Sequence, residues 1–114
     1  MTSPVKRTSR ELSILARTTA GGAALAVPGV ADLQPGLLDA VAQLSGGLLP
    51  GRVPGVTTRV VDGVLHVDVQ FRTLAHHRAL DVARAVRAEV KARVAERTGH
   101  GDVVVHVLVT DTEA

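Results

Sequence analysis

The histidines are the first residues to test for chemistry. The stretch "LAHHRALDVARAVRAEVKARV", Leu74 to Val94, carries the adjacent pair His76 and His77 ahead of an arginine-studded run. His66 and His106 stand in two separate valine-rich segments, and Asp68 follows His66 by two positions. Imidazole and carboxylate are ligands that a divalent transition metal accepts. Adjacent residues diverge, however, to opposite faces of a strand or by about 100° on a helix, so one ion rarely takes both His76 and His77. A metal site would need His66 or His106 nearby, plus a carboxylate such as Asp68, and the sequence leaves open whether those two share a face. The expectation is therefore no metal: His76 and His77 as solvated loop residues, His66 and His106 as surface residues of a sheet.

Other chemistry is no better supported. Asp32, Asp39, Asp62, Asp81, Glu89 and Asp102 are scattered singly over the chain, whereas acid–base catalysis needs groups with separated pKa values in one cleft. No nucleophile elbow, phosphate loop or paired-carboxylate motif occurs, and "TGHG" at Thr98 to Gly101 reads as a helix stop. The absence of Cys excludes thiolate metal sites, a cysteine nucleophile and a disulfide framework. One Phe and no Tyr or Trp provide no stacking platform for single-stranded nucleic acid. A non-enzymatic protein with no cofactor and no small-molecule substrate is expected.

Binding is the remaining class. Arg84, Arg87 and Lys91 recur at i, i+3 and i+7, which gathers them on one side of a helix. They could neutralise about three phosphates, giving only a modest salt dependence. A formal charge of +2 and a pI of about 9.9 are compatible with nucleic acid or anionic lipid without demanding either. The stripe thus reads as the solvated back of a helix, as a protein-binding surface, or as a nucleic-acid contact. Leu48 and Leu49, inside the loop sequence "SGGLLPGRVPG", must pack on the domain or meet a partner. Arg84, Arg87, Lys91, Leu48 and Leu49 are the candidate interaction surface.

These residues depend on elements that the patterning makes legible. The 114 residues make one domain, with a polar, disordered tail expected over 1–9 and the folded unit over 10–111. Leu12, Leu15, Ala16, Thr19, Ala20, Ala23 and Val27 recur at helical spacing from Arg10 to about Ala26. Gly21-Gly22 weakens that helix by about 1 kcal/mol per glycine against alanine, a cost tolerable if a neighbouring element must approach closely there. "VPGV" at Val27 to Val30 ends it, because a residue before proline avoids the α region, and a short extended segment follows from Gly29 to Leu33. Residues 34–55 form a variable loop or a short helix opened by Pro35.

The next stretch, "VTTRVVDGVLHVDVQFR", is a β-hairpin. Asp62-Gly63 suits a two-residue type I′ turn, which sets Val61 opposite Val64, Arg59 opposite His66 and Thr57 opposite Asp68. Val56, Thr58, Val60, Leu65, Val67, Val69 and Phe71 then share the core face. Arg59 and Asp68 become an ion pair on the solvent face. Ala79, Val82, Ala83, Val86, Val90 and Val94 form the apolar stripe of a helix from about Arg78 to Thr98, closed by Gly99. Glu89 and Arg93 are an i,i+4 pair on it. The continuous apolar run of "DVVVHVLVT" predicts a last strand that is central or covered on both sides.

The sum is an α+β two-layer sandwich: a small sheet of three to four strands with a β-hairpin, and helices packed on one face. Lys6, Arg7 and Arg10 before "ILARTTAGGAALAVPGVA" have the outline of an export signal, but Glu11 and Arg17 interrupt its apolar part. No run approaches the ~20 apolar residues of a membrane span. A cytoplasmic protein is expected.

The ordered set "ILA…AALAVPGVADL", "GVTTRVVDGVLHVDVQFR" and "VARAVRAEVKARVAERTGHGDVVVHVLVTD" resembles the alkaline shock protein family of bacterial envelope stress response proteins. The resemblance covers roughly residues 12–33 and 55–111. It implies a non-enzymatic cytoplasmic protein that binds a membrane-anchored partner and self-associates, with no catalytic residues to transfer. A small nucleic-acid-binding module using the basic side of the 78–98 helix is the alternative. The chain departs from the family at Ala75-His76-His77, where members commonly carry a glycine, and over 34–55, where nothing carries over.

Overall fold

The β-hairpin forms as its turn dictates. In the computed structural model, which describes residues 8–35 and 53–112, Asp62 and Gly63 both take positive φ, 51° and 78°. Strands β2 (Val56–Val61) and β3 (Val64–Thr73) pair antiparallel. Every expected partner is met, including Arg59 with His66 and Thr57 with Asp68. The turn needs two left-handed residues in succession, which Asp-Gly supplies at low steric cost.

Four more elements are described: helix α1 (Ser9–Ala26), strand β1 (Val30–Leu33), helix α2 (Ala79–Thr98) and strand β4 (Val103–Thr112). Thr8 caps α1, its hydroxyl accepting from the Glu11 amide at 3.1 Å, so the helix begins inside the expected tail. The Thr8…Glu11 spacing is that of a capping box, a signal the periodicity alone did not use. Gly99 closes α2 in the left-handed region at φ 70°, its N–H donating to the Ala95 carbonyl.

The sheet is mixed, with β3 at its centre. Strand β4 runs parallel to β3 over Leu65–Thr73, as a helical crossover between the two requires. Because β4 takes that whole edge, β1 and β2 must share the other. There β2 pairs with Val64–Val69 and β1 with Phe71–Thr73. No other described strand pairs with the far edge of β4. The expectation that β4 is central or doubly covered is therefore corrected. It is an edge strand whose Val103 and Val105 are buried while Val104 and Leu108 are 40% and 54% exposed. Among the described residues the helices form one layer only, and none of them lies over the second apolar face of β4.

The core lies between that layer and the sheet. Leu65, Val67, Val69 and Phe71 from β3 meet Val82, Val86, Val90 and Val94 from α2 and Ala16, Ala20, Ala23 and Ala24 from α1. Alanine and glycine along α1 let its neighbours approach its backbone. A Cβ on Gly21 would stand 2.8 Å from Val53 Cγ1, whereas one on Gly22 would meet nothing within 4 Å. So only the first glycine of the pair answers to close packing. Two stripe positions are corrected: Val60 is 45% exposed at the hairpin tip, and Ala79, in the first turn of α2, is exposed. Each lies at the end of its element, beyond the reach of the opposing layer.

Candidate functional site

Among the described residues one face of the sheet carries no helix, and Asp32, Arg59, His66, Asp68, Arg72 and His106 gather there. Alternation along β3 sends Leu65, Val67, Val69 and Phe71 into the core and His66, Asp68, Gln70 and Arg72 outward. Arg59 Nη1 donates to Asp68 Oδ2 at 2.9 Å, the expected pair, and the Thr57 hydroxyl reaches the same oxygen at 3.4 Å. Arg72 grips Asp32 with two bonds, Nε to Oδ1 at 3.1 Å and Nη2 to Oδ2 at 2.7 Å. Gln34 Nε2 adds a third donor at 2.7 Å. The Arg72 hydrogen bonds, followed by that from Gln34, hold the Asp32 carboxyl below its ordinary 3.8.

His66 and His106 do share this face. His66 Nδ1 and His106 Nε2 are 3.1 Å apart, with ring centroids 5.4 Å apart and planes only 4° from parallel. That centroid distance is the nitrogen–nitrogen distance plus one ring radius at each end, the largest value the contact permits. The rings therefore lie end to end in one plane, joined by an in-line N–H···N hydrogen bond, and are not stacked face to face. Asp68 stands directly opposite His106 in the β3–β4 register. Sequence spacing could not reveal this, because the register of a parallel pair is set through α2 and its packing.

The other candidates lie elsewhere. Arg84, Arg87 and Lys91 are all exposed on α2, away from its buried Val82, Val86, Val90 and Val94. They are on the helical side of the molecule and do not meet the histidine pair on the open sheet face. Glu89 and Arg93 pair at 2.8 Å as expected. Between α1 and α2 runs an open cleft of about 460 Å³, lined by Thr18, Thr19, Gly22, Arg93, Glu96 and Arg97 among others. His76 and His77 are exposed after β3, and His76 has φ 71°, a conformation that favours glycine. His76 falls within Ala75-His76-His77, the stretch where the sequence departs from the glycine of the resemblance. Leu48 and Leu49 lie outside the described residues. His100, which the spacing did not single out, ties the hairpin turn to the α2–β4 loop through a 2.7 Å contact between Nε2 and the Gly63 carbonyl.

Among the described residues no helix is long and apolar enough to cross a membrane. No family model matches the chain, and no curated protein matches it. Among solved structures it is similar to MamM CTD variants. One has 16% identity and a TM-score of 0.50, the match covering 86% of this chain and 90% of that one. The zinc form of another variant has 15% identity and a TM-score of 0.50, with 87% and 85% covered. At such identity the likeness is one of fold, and it agrees with the α+β reading.

Proposed function

We propose that the domain is a non-enzymatic protein-interaction module of alkaline shock type, serving the cell envelope by self-association and by binding a membrane-anchored partner. The observation that carries this reading is the far edge of β4, which no other described strand pairs. Natural sheets blunt such edges with lysine, proline or inward charges, yet Val103 to Thr110 contains no Lys, Arg, Pro, Asp or Glu. It also presents Val104 and Leu108 to solvent. Two copies of β4 meeting antiparallel about a two-fold axis would extend the sheet and bring Val104 and Leu108 of the two copies together on one continuous face in a self-complementary contact. The motif order of the alkaline shock resemblance supports the envelope role.

Sedimentation over a concentration series tests the interface. The double variant Val104→Lys with Leu108→Lys is expected to associate less than wild type at a nearly unchanged melting midpoint. Equal association in the two would refute the β4 assignment. Affinity capture from the native cell should recover a membrane-anchored protein. The nucleic-acid alternative rests on exposed Arg84, Arg87 and Lys91; absence of any gel shift with duplex or single strand near 50 mM salt, where phosphate contacts are strong, removes it.

A further inference from the structure

We infer that His66 and His106 form a two-histidine site for a borderline divalent transition ion, of the zinc or nickel class, on the open face of the sheet. His106 lies between Val104 and Leu108 on the same face of β4, so the site borders the proposed interface, and its test reads bound metal while that of the interface reads association. It starts from the separation of the two nitrogens, 3.1 Å. With metal–nitrogen bonds of about 2.0–2.1 Å, nitrogens that far apart subtend about 98° at one ion, between the cis angles of octahedral and tetrahedral coordination. The adjoining strands thus already hold the two donors at chelating distance. Their spacing is fixed by the parallel ladder that pairs His66 with Val104 and Asp68 with His106. Binding needs each ring to turn its lone pair from the other ring toward a common point above the sheet.

The proton balance is simple. In the hydrogen-bonded pair one of the facing nitrogens carries the shared N–H and the other a lone pair. For chelation both facing nitrogens must be bare, so the shared proton shifts to the outer nitrogen of its own ring. Two neutral imidazoles then bind the ion with no net proton release, and acid competes by filling the lone pairs. Among the described residues no three ligand side chains are gathered, so water completes the shell at first. The carboxylate best placed to join is Asp68, two residues from His66 and opposite His106. It is held there by the Arg59 ion pair, whose side chains are 55% and 32% exposed; exposed pairs of this kind exchange readily.

The test is titration of the full chain with zinc chloride and, separately, nickel chloride, followed by equilibrium dialysis and by nitrogen-15 spectra of the imidazoles. One ion per chain is expected, moving the His66 Nδ1 and His106 Nε2 resonances. His66→Gln and His106→Gln should each weaken binding about tenfold or more, the scale on which even outer-shell partners act. Both positions are at the surface, and circular dichroism verifies that the variants fold. Asp68→Asn decides between a carboxylate and water as third ligand, a loss or no change being consistent with the two-histidine site. Failure to bind up to millimolar metal overturns the site. So does binding that survives the double variant, or that vanishes only in His76→Ala with His77→Ala.

Discussion

Arg72 meets both carboxylate oxygens of Asp32, at 2.7 and 3.1 Å, and in doing so ties β1 to the centre of the sheet. The two residues are direct partners in the β1–β3 register, and two parallel bonds of this kind fix orientation as well as proximity. Their 34% and 44% exposure keeps the pair in contact with water.

The first prediction concerns acid. Asp32 has a folded-state pKa below its ordinary 3.8, so the unfolded chain takes up the proton first as pH falls. The contribution of this pair is complete above 3.8 and is lost as pH drops through the lower, folded value. Melting midpoints followed from pH 6 to pH 2 should fall more steeply for wild type than for Asp32→Asn. Parallel curves would remove the pair from the acid response.

The paired glycines of α1 should respond in opposite senses to the same substitution. Gly22→Ala meets only solvent and should stabilise by about 1 kcal/mol, the propensity difference between alanine and glycine in a helix. Gly21→Ala drives a methyl against the stiff Val53 side chain at 2.8 Å, and overpacking of this kind costs about 1–3 kcal/mol. Adding Val53→Ala to Gly21→Ala should recover most of the overpacking loss, giving a coupling energy that a denaturation cycle measures.

His76 holds a left-handed conformation at φ 71°. A side chain there costs about 1–2 kcal/mol relative to glycine, partly offset by the greater freedom of glycine in the unfolded chain. His76→Gly should therefore raise stability by up to about 1 kcal/mol in urea denaturation. A lower midpoint would mean that the imidazole makes a compensating contact.

Phe71 is the one aromatic residue of the chain and is fully buried on β3. Phe71→Ala should cost about 3–5 kcal/mol through lost transfer energy and the cavity left behind. For a domain of ordinary stability, about 5–15 kcal/mol, that brings it close to unfolding. Phe71→Leu keeps most of the volume and should cost less than about 1.5 kcal/mol. Calorimetry of the two variants side by side separates a packing role from a general need for an apolar residue.

Much of the fold follows from local rules that act within a few residues. Asp62-Gly63 determines the hairpin turn, the turn determines the register, and alternation from that register places Arg59 beside Asp68 without reference to anything distant. The same holds for Gly99 at the end of α2 and for the valine stripe from Val82 to Val94, because helix period and capping are properties of a short stretch. Tertiary structure decided whatever depends on two segments far apart in the chain. The run Val103 to Thr110 has the composition of a doubly covered strand, yet among the described residues it lies at an edge, since only the assembled sheet and the helices on it say which faces receive a neighbour. Long-range pairing also sets His106 against His66 through the β3–β4 ladder and Asp32 against Arg72 through the β1–β3 ladder, each pair 40 residues apart. No local preference encodes such a juxtaposition. The His66–His106 pair exists only after α2 has carried the chain across the sheet and packed its valines onto β3, and the Asp32–Arg72 pair only after β1 has added to the edge of β3.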